Sequence, residues 1–303
     1  MSLAFIETAN IGLGELFSLA SALTWATAVI LFKQAGETLS ATSLNLFKNI
    51  LGASLLIPTA LMVEGAVLPQ LTGWEWSLVL VSGFIGIAVA DTWYFQALKK
   101  VGAGNTAIVA SLYSPFVVIL SVIFLGEHLN LVQFAAFLLV LLGIFLVTYQ
   151  KNRKHVDAVT FFQGLGFAMG AVLLNAIGIV MVKRIIEGDG FFWIITLRLL
   201  GGIVGTLLFL TLTQKLTTVI HDIKQPRDWR WLITASVLAT YITMIFWLAG
   251  YKYTDASTAS VLNETTNVFI VIFAWLFLKE ELPRRKLLGI VFAFVGVVLF
   301  ISY

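Results

Sequence analysis

Four ionisable side chains stand inside long apolar runs: Lys48, Asp91, Arg198 and Glu264. Holding such groups out of water costs several kcal/mol each unless they are paired or used. Two chemistries fit these residue types. One is mutual neutralisation, with Lys48–Asp91 and Arg198–Glu264 as two ion pairs that pin helix packing. The other is a site. A cation or an acid would then hold a zwitterionic or anionic solute, and Asp91 or Glu264 would carry a coupled proton, since a carboxyl in a low dielectric suits proton exchange. Measured from the nearest chain breaks, each charge lies about two helical turns inside its run, roughly 10 Å deep at 1.5 Å per residue.

Amides, hydroxyls and aromatics recur at the same depths: Asn45, Ser111, Tyr113, Asn175, Asn263, Thr266 and Asn267, with Trp25, Trp93, Tyr94, Tyr241 and Trp247. Helix-to-helix hydrogen bonding accounts for any one of them. Together they would line a cavity with hydrogen-bonding and stacking groups. The candidate substrate contacts are therefore Trp25, Lys48, Asp91, Tyr94, Ser111, Tyr113, Asn175, Arg198, Trp247, Asn263, Glu264 and Asn267. Asp91 and Glu264 are also the proton-coupling candidates. Pro115 is placed to kink its segment.

The elements that must position these residues follow from composition. The chain of 303 residues is 59% hydrophobic and 12% charged, with a mean hydropathy of +0.97. A soluble domain carries about 25% charged residues, so only an integral membrane protein fits. Ten apolar segments are expected, near 13–33, 42–63, 74–98, 105–125, 130–149, 161–184, 191–213, 229–251, 257–278 and 285–302. Each is about the length a helix needs to cross ~30 Å of hydrocarbon. They do not alternate as barrel strands would. Gly36, Gly65, Gly102, Gly104, Asn152, Gly190, Pro226 and Pro283 are read as turns. Trp74 with Trp76, and Trp229 with Trp231, read as interfacial anchors of two corresponding segments.

The segments repeat. Glu127 to Glu280 and Gly143 to Gly296 are both steps of 153, while Lys33 to Lys183 and Lys48 to Arg198 are both steps of 150. The chain thus reads as an all-α membrane protein of ten transmembrane helices, one five-helix unit used twice, in residues 1–152 and 153–303. An odd number of spans per unit makes the second copy enter the membrane inverted, a construction many carriers use with a site at mid-bilayer. The site is expected between spans 1–4 and 6–9, with spans 5 and 10 peripheral as packing or dimer faces.

Other classes lack their signatures. There is no cysteine, hence no disulfide frame or thiolate. His128, His155 and His221 all fall in expected loops without zinc spacing. Gly102-Ala103-Gly104 lacks the lysine and strand of a phosphate loop. Glu280-Glu281 sits beside Arg284, Arg285 and Lys286 as a solvated, salt-paired loop. The net charge of +3 forms no nucleic-acid stripe. No cofactor and no metal are expected, and the first residues lack the basic region of a removable signal. Nearly all loop lysines and arginines fall on one face. The opposite loops hold only Lys183, Arg184 and Lys252. The positive-inside rule puts the first face in the cytoplasm and both termini outside.

In order and duplication these pieces resemble the drug/metabolite transporter superfamily, EamA type. The resemblance rests on Trp25 with Lys33, on Lys48 and Arg198, on the stretch 97–107 (ALKKVGAGNTA), on Pro115 followed by 126–129 (GEHL), on Gly143 and Gly296, and on 252–260 (KYTDASTAS) with 279–282 (KEEL). It implies two inverted five-helix repeats and a secondary carrier, often an exporter, of amino acids or other small metabolites, in the cell (plasma or inner) membrane. The protein would act by alternating access, as a monomer or homodimer, with the bilayer, a small solute and protons as partners. It also implies cytoplasmic termini, against the charge rule. The chain departs from the family pattern in three places: Lys48 stands for an arginine, Asn267 or Val268 for a proline, and Glu264 is not a motif residue. An uncoupled facilitator, or an integral-membrane enzyme or sensor, is the alternative.

Overall fold

The computed structural model describes residues 12–34, 39–149, 158–225, 228–279 and 281–303. The turns read at Gly36, Asn152 and Pro226, and the loop carboxylate Glu280, lie outside them. Among the described residues all regular structure is helical, with no strand. In chain order the helices are α1 (Leu13–Gln34), α2 (Ala41–Glu64), α3 (Gly73–Gly83), α4 (Ala90–Ala110), α5 (Tyr113–Phe124), α6 (Leu131–Thr148) and α7 (Ala158–Ile186). Then follow α8 (Phe191–Leu212), α9 (Leu216–Lys224), α10 (Trp229–Ser236), α11 (Thr243–Tyr253), α12 (Ala256–Asn263), α13 (Thr265–Leu278) and α14 (Arg284–Ser302). Two π-helical stretches, Phe84–Val89 and Val237–Ile242, join α3 to α4 and α10 to α11. Nine helices among the described residues are long and apolar enough to cross a membrane, and the fourth expected segment is a shorter apolar helix, Ile108–Phe124.

Local chemistry sets the helix ends. Thr72 with Glu75 and Asn130 with Gln133 form capping boxes that start α3 and α6. Ser40 accepts from Ser43 N to start α2. The glycines 102 and 104 do not break the chain as expected, because α4 continues through them to Ala110. A helical glycine costs only about 1 kcal/mol against alanine, which the surrounding helix absorbs. Trp93 and Val101 face Gly170 and Gly164 on α7, whereas Phe124 at the end of α5 meets Arg184 near the end of α7. The reversal therefore falls between Val101 and Tyr113. A further helix that no apolar segment announces, α9, is short and lies between α8 and α10.

Two close crossings hold the bundle. A Cβ on Gly83 would stand 1.9 Å from the carbonyl oxygen of Arg198, so α3 and α8 meet backbone to backbone. α6 and α14 meet the same way, with a Cβ on either Gly143 or Gly289 standing 2.6 Å from the other's carbonyl oxygen. The first crossing places Arg198 against the start of the first π stretch. The second joins α6 and α14 to each other.

Candidate functional site

The site begins with two breaks in helical register. A π turn inserts one residue and rotates everything beyond it. Both π stretches put wall residues on one cavity of about 430 Å³: Gly86 and Ile87 from the first, Ala239 and Thr240 from the second. Asp91 and Tyr94 follow the first, and Thr243, Met244 and Trp247 follow the second. The remaining walls come from Ser21 and Trp25 on α1, Lys48 and Asn49 on α2, Tyr113 on α5 and Asn175 on α7. Arg198 on α8, Asn263 on α12, and Thr266 and Asn267 on α13 complete them. No wall residue comes from α6 or α14.

Of the twelve candidate substrate contacts, Trp25, Lys48, Asp91, Tyr94, Tyr113, Asn175, Arg198, Trp247, Asn263 and Asn267 stand on this wall. Two do not. Ser111 turns its hydroxyl back to the carbonyl of Ile108 at 2.7 Å, because it sits in the turn between α4 and α5. Glu264 sits at the matching break between α12 and α13 and faces α5 instead. Its carboxylate accepts from Ser114 N at 3.4 Å and from Asn267 Nδ2 at 3.2 Å, and it is buried.

The ion pairs also divide. Lys48 Nζ lies 4.0 Å from Asp91 Oδ2. Lys48 also donates to Asn49 Oδ1 at 3.3 Å, and Asn49 to Asn45 Oδ1 at 3.3 Å. The expected pair of Arg198 with Glu264 does not form. Equal depth from one face says nothing of direction around the helix axis, and the two side chains point to different neighbours. The Arg198 guanidinium lies over the Trp247 ring, 5.1 Å from its centre. Its Nε and Nη1 have no hydrogen-bond partner.

The cavity is closed beyond Arg198. Tyr113 and Tyr251 join their hydroxyls at 2.8 Å. Past them, the Glu127 carboxylate accepts from the amides of Ala256 at 2.7 Å and Ser257 at 2.9 Å, and from the Ser257 hydroxyl. Thr254 Oγ1 donates to Glu15 Oε1 at 2.7 Å on the same side. Asp255, in the loop between α11 and α12, is exposed, and its carboxyl is pushed up by partial desolvation and by the neighbouring Glu127 charge. At the other end Lys48 and Asp91 keep 15% and 28% of their side chains exposed.

The sequence reading missed Asn49, Thr240 and Thr243 on the wall, and used Glu127 only as a marker of the repeat. The signal for the threonines was present: Thr240, Thr243 and Trp247 share one face at i, i+3 and i+7. No local signal showed what Glu127 would cap.

Comparison with known proteins agrees with this architecture. A solved crystal structure superposes with a TM-score of 0.75 at 17% identity, over 94% of this chain and 97% of that one, which concerns the fold alone. An uncharacterized transporter of Synechocystis sp. is 26% identical over 239 residues, 77% of this chain and 67% of its own. An uncharacterized transporter of Archaeoglobus fulgidus is 24% identical over 287 residues, 94% of this chain and 96% of its own. The pseudopaline exporter CntI of Pseudomonas aeruginosa is 24% identical over 269 residues, 88% of each chain. The profile of the EamA-like transporter family matches twice, over residues 12–149 and 162–302. With its apolar helices and its polar central cavity, this multi-pass membrane protein belongs to the EamA-like transporter family.

Proposed function

We propose that the protein is a secondary carrier that exports small metabolites, amino acids among them, by alternating access through the central cavity. Its frame would be ten spans in two inverted halves, residues 1–152 and 153–303, in the plasma or inner membrane. The observation that carries this reading is the cavity itself: polar and charged walls from eight segments, sealed by Tyr113–Tyr251 and Glu127 at one end and keeping exposed charge at the other. Such a site, closed on one side, suits a carrier caught in one of its two facing states. The π stretches Phe84–Val89 and Val237–Ile242 support the duplication, being 153 residues apart. So do the helix breaks at Ser111 and Glu264, also 153 apart.

Glu264 and Asp91 are the coupling carboxyls of this reading. Glu264 is buried at a helix break beside two cavity amides, Asn263 and Asn267, and Asp91 stands on the accessible wall. Export follows the name of the pseudopaline exporter CntI of Pseudomonas aeruginosa. The paired α6 and α14 leave an apolar outer face for lipid or for a second copy of the chain.

Uptake into liposomes containing the purified protein, with and without an imposed pH gradient, tests the reading. Saturable flux that follows the gradient is expected. Saturable flux indifferent to the gradient would make the protein a facilitator, and absence of flux from a broad metabolite pool would end the carrier reading. Protease access to a C-terminal tag in intact and lysed cells decides between the orientations implied by charge and by family.

A further inference from the structure

The cavity wall holds a charge imbalance that the chain leaves uncorrected. Lys48 and Arg198 occupy matching places 150 residues apart. Lys48 has the carboxylate of Asp91 at 4.0 Å. The two π stretches give the register of the helices that follow them, and that register is a step of 153. The counterpart of Asp91 is therefore Met244. One cation has a carboxylate beside it, and at the matching position of the other half the chain carries a thioether. Met244 is on the cavity wall, one helical turn before Trp247, the residue whose ring lies under the Arg198 guanidinium.

Arg198 is 2% exposed, and its Nε and Nη1 lack hydrogen-bond partners. Buried donors of a charged group are costly to leave unmade. The cation–π contact with Trp247 satisfies the charge on one face of the guanidinium but none of its N–H groups. Lys48, Asp91 and Arg198 are the charged residues on the described wall. They leave one positive charge over. Glu264 is not on the wall and makes no ion pair with Arg198; its oxygens accept instead from Ser114 N and Asn267 Nδ2.

We propose that Arg198 is the anion seat of this cavity, and that the cargo is a small organic acid of one net negative charge. Its carboxylate bonds guanidinium N–H groups that the protein leaves unpaired, and its apolar part lies against Trp247. An uncharged analogue leaves the guanidinium unpaired. A neutral amino acid brings an ammonium group to a wall already positive. An acidic amino acid fits. This inference rests on the carrier reading, because it names what that carrier would move.

Binding is measured on the detergent-purified protein by tryptophan fluorescence and by melting temperature. The probes are lactate, benzoate, N-acetylphenylalanine and glutamate, each beside its partner of different charge: lactamide, benzamide, phenylalanine and glutamine. At least one of the four acids is expected to bind, with its partner weaker by about tenfold or more, as expected when a buried charged donor loses its acceptor. Arg198→Gln is expected to abolish that binding. Met244→Asp is expected to abolish it too while Arg198 remains, because the new carboxylate fills the seat from within, and this variant is expected to melt no lower than the parent. The proposal is overturned if none of the four acids binds, if the uncharged or zwitterionic partners bind equally well, or if either variant keeps acid binding within twofold. Flux separates it from the carrier reading. Acid binding without liposome flux leaves the seat and removes the carrier. Arg198-independent flux of neutral solutes leaves the carrier and removes the seat.

Discussion

The carboxylate of Glu127 holds the first turn of the ninth span through the backbone amide of Ala256, at 2.7 Å across 129 residues of chain. The amide of Ser257 donates to the same group at 2.9 Å. Free amides and the positive end of the helix dipole both favour a carboxylate there. Glu64 does the same for α8, accepting from Phe192 N and Trp193 N at 3.0 Å each. Spans that are distant in sequence are thus clamped at the closed end of the cavity by acid-to-helix contacts.

Glu127→Ala is expected to cost about 1–2 kcal/mol of this closed arrangement, the range for a lost helix cap. The native chain has no cysteine, so a single Thr266→Cys reports access to the cavity. Labelling of that cysteine from the Glu127 side is expected to speed up about tenfold when Glu127 is replaced, since about 1.4 kcal/mol is a factor of ten in an equilibrium. An unchanged labelling rate would show that Glu127 does not hold the gate.

Tyr113 and Tyr251 share one hydrogen bond behind Arg198. Replacing either by phenylalanine is expected to lower stability by about 1 kcal/mol, and the double replacement by little more than either alone. A thermal double-mutant cycle measures the coupling. Full additivity would mean that the two hydroxyls act separately.

Glu264→Gln keeps the shape of a buried group held by Ser114 and Asn267 and removes its proton exchange. Membrane insertion and yield are expected to be unchanged, while flux driven by a pH gradient falls by tenfold or more, on the order seen when a proton-transfer group is lost. Flux equal to the parent's would take Glu264 out of the mechanism.

Gly83→Ala forces a methyl against the Arg198 carbonyl oxygen, where a Cβ has 1.9 Å of room. The expected cost is about 1–3 kcal/mol of overpacking. Solute binding should weaken along with it, because the clash moves the helix that carries the guanidinium. Gly73→Ala meets nothing within 4 Å and serves as the control in melting and binding assays.

Asp255 gives a pH signature. Partial desolvation and the Glu127 charge raise its carboxyl above the usual value in the folded protein. A raised folded value means that ionised Asp255 destabilises the fold at neutral pH. That penalty fades as pH falls and is gone below the unfolded carboxylate value, near pH ~3.9. Asp255→Asn should therefore melt higher than the parent at pH 7 and level with it in acid. A difference that persists in acid would place the cause elsewhere.

Much of this was legible along the chain. Nine of the ten expected segments fall on helices long enough to span and the fourth on a shorter apolar helix, because hydropathy and span length are local and additive. Depth arithmetic put Lys48 and Asp91 within reach of each other, and they meet. The same arithmetic paired Arg198 with Glu264 and failed, since depth leaves the angle around the axis open. Ser111 and Glu264 were read as wall residues from their polarity. Both lie at helix breaks, where side chains bond back to their own turn or across to a neighbouring helix.

Composition and hydropathy determine the membrane and the helices, because each depends on residues close together or on residue type alone. Which charge is left without a partner depends on how the helices are turned. Two π stretches, each adding one residue to a turn, set that rotation, and the backbone contact at Gly83 sets the seat of Arg198. These are packing facts, decided only when distant segments close on one another.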